Sequence, residues 1–167
     1  MAVTPEEFKG ALRRWASGVT VVTARNAAGD VGMTASSFCS LSLEPPAVLV
    51  CVRRGAAIFP ALEAAGAFGV SILASEQSGL SNRFAGRVPA EQDRFADLEL
   101  TRAPSSGAAW LPGASAWLDC RITAILDGGD HGIVVGEVVA ATIDEDRDAG
   151  DALLYLAGRY RRAGDAI

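Results

Sequence analysis

Polar side chains of one kind are most concentrated in Gly32-Met33-Thr34-Ala35-Ser36-Ser37-Phe38, followed directly by Ser40-Leu41-Ser42-Leu43-Glu44-Pro45-Pro46. A glycine and short hydroxyls let the backbone come close to a flat polar ring and point several N–H groups at it. The same residues also suit an edge strand that shows ordinary Thr and Ser to solvent, and residue types alone leave both readings open. Arg53 and Arg54 end the apolar run that follows. Either arginine could meet a phosphate through charge-assisted hydrogen bonds, or the pair could stand solvated at a strand end.

Several other chemistries are excluded by missing motifs. No Gly-x-Gly-x-x-Gly and no Gly-x-x-x-x-Gly-Lys-Ser/Thr occurs, so there is neither a Rossmann dinucleotide turn nor a P-loop. His131 is the only histidine, which rules out a two-His metal site. A zinc set of Cys39, Cys51, Cys120 and His131 lacks the close cysteine pair that such sites use. No serine sits in a Gly-x-Ser-x-Gly elbow that could work with His131. The three cysteines are odd in number and lie within apolar stretches, which predicts buried free thiols in a reducing, cytoplasmic setting.

The chain has 167 residues, half of them hydrophobic and 21% charged, which rules out disorder and predicts one domain over 1–167. Fifteen basic against 20 acidic residues leave a net charge of −5, and Lys9 is the single lysine. With no basic run longer than two residues, nothing tracks a phosphate backbone, so nucleic acid is excluded as a partner. Apolar runs such as Ala47 to Val52 are of strand length, so no segment spans a membrane. Thr4-Pro5-Glu6-Glu7 is an acidic helix start and not a signal peptide. The apolar surplus hints at an oligomer.

The elements that must carry these residues are mostly strands. Thr4 caps a first helix with Pro5 inside it, Glu7 completing a capping box and Val3 and Phe8 as a staple; Phe8, Ala11, Leu12 and Trp15 share a face. Val19 to Thr23 is β-branched, Asn26 to Asp30 turns, and Val31 to Leu43 reads as the return strand. Ala47 to Val52 and Phe68 to Leu73 are strands around a short helix from Ala57 to Ala65. Glu76 to Phe84 reads as helix, and Gly86 to Ala109 has no period. From Ala116 to Leu126 even-numbered apolar residues alternate with Trp117, Asp119, Arg121, Thr123 and Ile125, a two-faced strand. The glycine-rich turn Asp127 to Gly132 leads into its partner, His131 to Ile143. A last strand, Leu153 to Leu156, precedes Gly158-Arg159-Tyr160-Arg161. Strands at turn-separated intervals with few helices predict a mainly β (α+β) barrel and argue against a Rossmann sheet.

Together, Trp15 to Thr23, Gly32 to Phe38, Ser42 to Pro46, Gly129-Asp130-His131 and Gly136-Glu137-Val138 resemble the flavin reductase family with an FMN-binding split barrel. The resemblance runs from about Phe8 to Tyr160. It implies a six-stranded split β-barrel with Greek-key character, flanked by a few helices, and a homodimer. The implied activity is reduction of FAD or FMN by NADH, or NADPH, with reduced flavin passed to a partner monooxygenase.

By the same resemblance, Met33, Thr34, Ala35, Ser36 and Ser37 lie along the flavin ring, where fixed N–H dipoles would favour its reduced form. Arg53 or Arg54 reaches the flavin phosphate. Gly55, Ala56 and Ala57 stand where relatives often have Ser or Thr, which shifts that anchor toward main-chain N–H groups and arginine. Phe84-Ala85-Gly86 is a further flavin contact. His131 reaches the nicotinamide nucleotide, Tyr160 closes over it, and Arg159 meets a phosphate. No protein nucleophile is required, because the chain's task is to stack two rings.

Overall fold

The computed structural model describes residues 2–87, 93–148 and 150–164. In chain order the elements are α1 (Pro5–Leu12), β1 (Ser17–Gly18), β2 (Thr20–Asn26), β3 (Gly29–Ala35), β4 (Phe38–Leu43) and β5 (Pro46–Arg53), then α2 (Phe59–Ala65), β6 (Ala67–Ile72) and α3 (Ser78–Phe84). They continue with β7 (Thr101–Arg102), β8 (Ala109–Trp110), β9 (Ala116–Gly128), β10 (His131–Ile143), β11 (Leu153–Leu156) and β12 (Arg159–Arg162). Of the stretch read as aperiodic, residues 88–92 lie outside the described residues, and β7 and β8 form a small hairpin beyond them.

One antiparallel sheet dominates, in the order β3-β2-β6-β9-β10-β5-β4. Its two edge strands are consecutive in the chain: at Ser36-Ser37 the backbone passes from one edge of the sheet to the other. Edge strand β3 contacts β5, the strand next to the other edge, without a hydrogen-bonded ladder, so the barrel is split and not closed. The expected return strand Val31 to Leu43 is therefore broken, which makes seven strands of six. Ser37 holds the crossing, its Oγ donating to Cys51 O at 2.8 Å while its own carbonyl accepts from Cys51 N at 3.3 Å.

Burial follows from the run of β-branched residues in β2. Val22 and Ala24 join the barrel interior with Val50, Val52, Leu62, Phe68 and Val134. Val19 and Val21 lie in a second cluster with Leu73, Phe84, Leu111 and Leu153. A strand covered on both faces takes apolar or internally hydrogen-bonded residues at successive positions, which explains why β2 does not alternate: its buried Thr20 and Thr23 donate to Ala35 O at 3.0 Å and Ala109 O at 2.6 Å.

The two long strands depart from simple alternation. The β9–β10 register slips between Val135 and Gly136, leaving Thr123 unpaired. Such a bulge reverses the faces of the strand beyond it. Ile122 and Ile125 both pack on the core, whereas Leu126, expected on the same face as Ile122, is 53% exposed.

Helix α1 has the capping box: Glu7 N donates to Thr4 Oγ1 at 3.2 Å, and Thr4 N to Glu7 Oε2 at 2.9 Å. It buries no residue, and Phe8, Leu12 and Trp15 stay uncovered in the single chain. The thiols correct the expectation of uniform burial. Cys39 is exposed on edge strand β4, Cys51 is half-buried, and only Cys120 is buried. Along β5, Val48, Val50 and Val52 face the core, so Cys51 faces the other way.

Candidate functional site

A cavity of about 540 Å³ opens where the barrel is split. One wall is the β3 end and the crossing, Gly32 to Ser37; another is the end of β5 and the following turn, Cys51, Arg53 and Gly55 to Ile58. The end of α3, Phe84-Ala85-Gly86, closes a third side, and His131 and Arg94 complete the lining. Met33, Thr34, Ala35, Ser36, Ser37, Arg53, Gly55, Phe84, Ala85, Gly86 and His131, separated by up to about a hundred residues of chain, thus come together.

Local packing explains how the walls meet. A Cβ on Gly32 would stand 2.9 Å from Phe84 Cε1 and 3.1 Å from Phe95 Cζ, so the missing side chain lets that aromatic pair lie against β3. Thr34 Oγ1 donates to Ser81 O at 2.6 Å and fastens α3 to the same strand. His131 opens β10 opposite Arg53, the last residue of β5. Its Nδ1 donates to Asp130 Oδ1 at 2.7 Å. That bond, reinforced by the charges of His131 and Arg53, holds the Asp130 carboxyl below the ordinary carboxylate range. In the neutral tautomer with its proton on Nδ1, the ring presents Nε2 as an acceptor; in the imidazolium form Nε2 is a donor.

Three expected residues lie elsewhere. Arg54 makes an ion pair with Asp127 at 2.8 Å and stacks over Phe59 at 5.6 Å, away from the cavity. Tyr160 lines an adjoining cavity of about 140 Å³ with Thr34, Ser36, Ser81, Ala85 and Tyr155. Its hydroxyl is 2.9 Å from Ser81 Oγ and donates to Asn82 Oδ1 at 3.1 Å. Arg159 is exposed on β12 and lines none of these cavities. A third cavity, about 580 Å³, runs between α1 and the β11–β12 hairpin and reaches Ser36 and Ser37.

Arg94 was not anticipated. It follows the undescribed residues 88–92 in a segment without periodicity, and only folding brings it beside Gly86. Cys51 was read as a buried thiol, yet it faces the cavity. The resulting donor set suits a flat, anionic ligand: two arginines, small residues, one histidine, and no carboxylate among the described lining residues. The volume falls in the usual range for small-molecule sites.

An antiparallel barrel with such a site in its gap is a cofactor-binding split barrel. The chain belongs to the flavin reductase family, whose "flavin reductase like domain" matches residues 12–164. The reductase component of Thermus thermophilus 4-hydroxyphenylacetate 3-monooxygenase is 45% identical, the match covering 94% of this chain and 95% of the relative. The Rhodococcus jostii flavin-dependent monooxygenase reductase subunit HsaB is 37% identical, over 95% of this chain and 78% of its own. Among solved structures, the Streptomyces globisporus C-1027 NADH:FAD oxidoreductase SgcE6 superposes with a TM-score of 0.88 at 36% identity, covering 99% of this chain and 98% of that one.

Proposed function

We propose that this protein is an NADH:flavin oxidoreductase that reduces FMN or FAD and supplies the reduced flavin to a partner monooxygenase. The observation that carries this reading is the cavity at the split, with Arg53 and Arg94 in its lining and His131 at its edge. When bound, the flavin takes a hydride from the nicotinamide ring and a proton from water, leaving NAD⁺. The chain supplies position: the glycine and small residues from Gly32 to Ser37 leave room for a ring, and the arginines hold the phosphate. His131, kept in one tautomer by Asp130, accepts a hydrogen bond from the nicotinamide carboxamide. Tyr160, tied to Ser81 and Asn82, fixes the C-terminal hairpin at the same edge.

Relatives supply the wider setting. Those named as reductase components of monooxygenases support a monooxygenase partner. Relatives named for FMN and for FAD support both flavins as substrates and NADH as the donor; NADPH is the alternative donor in this reading. A homodimer is supported by the uncovered stripe of Phe8, Leu12 and Trp15, which a second copy would bury. The reading also includes a single domain over 1–167 and a cytoplasmic location. Among the described residues no helix is long and apolar enough to cross a membrane.

Purified protein mixed with NADH and excess free FMN or FAD tests the activity through absorbance in the nicotinamide band. Steady consumption that depends on flavin is expected. Flavin binding without NADH consumption would overturn the reductase reading and leave a flavin-binding barrel.

A further inference from the structure

Arg83 lies outside the cavity lining yet holds one of its walls. It sits in the last turn of α3, next to Phe84, which is 1% exposed. Its Nη2 donates to two carbonyls of the later loop, Asp93 O at 3.1 Å and Ala96 O at 2.5 Å. Between those carbonyls lie Arg94, which lines the cavity, and Phe95, whose ring meets Phe84 edge-on with centroids 5.0 Å apart. Asp93 tightens the same turn, its Oδ1 accepting from Phe95 N at 2.8 Å. Arg94 then extends past Gly86, with Nη2 3.3 Å from where a Cβ on that glycine would stand.

We propose that Arg83 is a positioning residue: by clamping the Asp93 and Ala96 carbonyls it fixes the turn that aims Arg94 into the cavity, and so sets the affinity for the phosphate end of the flavin. The inference rests on the flavin reading of the cavity. A planar guanidinium loses little freedom per hydrogen bond formed, which suits it to bracing two carbonyls at once; a lysine ammonium on a flexible stem does this less well. Without the brace the turn would sample many arrangements, and a charged group displaced by an ångström loses much of its effect on a bound anion.

Riboflavin lacks the phosphate of FMN, so their dissociation constants separate this role from general disruption. They are measured by flavin fluorescence quenching in the full-length wild type, Arg83→Met, Arg83→Lys, Arg94→Met and the Arg83→Met/Arg94→Met double variant. Arg83→Met is expected to weaken FMN binding about tenfold and riboflavin binding less than about twofold, in line with the loss of a charged hydrogen bond. Arg83→Lys is expected to weaken FMN selectively as well, and the double variant to bind FMN no worse than Arg94→Met alone.

Equal losses for both ligands, or additive losses in the double variant, would overturn the proposal. Should Arg83→Met fail to fold, Arg83→Lys and its own double variant with Arg94→Met carry the same comparison. If the wild type binds FMN no better than riboflavin, the phosphate reading itself falls and the inference with it. If Arg94→Met abolishes the preference for FMN while both Arg83 variants keep it, the cavity reading stands and Arg83 alone loses its role.

Discussion

His131 stands directly opposite Arg53 across the β10–β5 ladder, and both side chains line the cavity. One backbone register therefore sets the spacing between the group assigned to the nicotinamide and the group assigned to the flavin phosphate. A slip of one strand by one residue would turn that strand's side chain to the opposite face and separate the pair, since side chains alternate faces along a strand. The division of labour is testable in steady-state kinetics. His131→Ala is expected to raise KM for NADH about five- to tenfold, as for loss of one hydrogen bond, with a smaller change in KM for flavin. An unchanged NADH dependence would remove His131 from the nicotinamide site.

Arg53→Ala is expected to weaken FMN binding about tenfold and to spare riboflavin, because the proposed partner of the guanidinium is the phosphate that riboflavin lacks. Arg54→Ala, which removes the pair with Asp127, is expected to leave FMN affinity unchanged. Fluorescence titration of the two variants side by side checks both statements; identical curves for Arg53→Ala and wild type would place the phosphate elsewhere.

Gly136 is a steric requirement. A Cβ there would lie 2.6 Å from both Phe68 Cε1 and Phe68 Cζ, and 3.1 Å from Cys120 Cβ. Phe68 is fully buried and has nowhere to retreat. Gly136→Ala is expected to cost about 1–3 kcal/mol, the usual range for overpacking. Urea unfolding reads this as a lower midpoint with an unchanged slope, and an unshifted midpoint would mean that the ring yields freely.

The three thiols are expected to separate by reactivity. Cys39 is exposed and reacts at once with a maleimide, whereas Cys51 reacts more slowly and is protected by FMN, because it lines the cavity. Cys120 reacts only on unfolding: burial, helped by the neighbouring Asp119 charge, pushes its thiol up to about 12, so little thiolate forms at neutral pH. Mass spectrometry of the time course, with and without FMN, checks the order; failure of FMN to slow Cys51 would contradict the ligand's placement.

Arg147 gathers Glu76 at 2.6 Å, Asp151 at 3.0 Å and Asp144 at 3.3 Å. The Asp151 carboxyl is lowered first by the Ser75 hydroxyl and then by Arg162 and Arg147; that of Glu76 is lowered chiefly by Arg147. A carboxyl whose folded value lies below its unfolded one stabilises the fold above the unfolded value, and that contribution disappears as pH falls through the folded value. Glu76→Gln and Asp151→Asn are therefore expected to melt below wild type at neutral pH, with the gap closing as pH falls through the lowered folded values, beneath the ordinary carboxylate range. A gap independent of pH in thermal melts would show that ionisation plays no part.

Local pattern made much of this architecture legible. The run Val19 to Thr23, the turn at Asn26 to Asp30 and the alternation from Ala116 onward all specify strands without reference to the rest of the chain. The break at Ser36-Ser37 was hidden because it follows from where the sheet edges meet, and Thr, Ser and Phe around it read as ordinary strand. The bulge at Thr123 was hidden for a similar reason: it depends on the register with β10. At the site, the residues from Met33 to Ser37 and His131 stood in recognisable motifs. Arg94 did not, since its place beside Gly86 depends on tertiary contacts: the Arg83 clamp, the Phe84–Phe95 contact and its own Nη1 donating to Phe84 O at 3.5 Å. The stripe of Phe8, Leu12 and Trp15 was visible as a stripe, yet helical spacing says nothing about what covers it.

The contrast between a net charge of −5 and a cavity lined by Arg53 and Arg94 has a kinetic consequence. A nucleotide approaching from afar meets repulsion from the whole surface, and only within the mouth does attraction take over. Mobile ions screen the distant field over about 10 Å at 0.1 M. Raising ionic strength therefore quickens arrival, while weakening the close pair hastens departure, so the exchange of one flavin for the next accelerates in both directions.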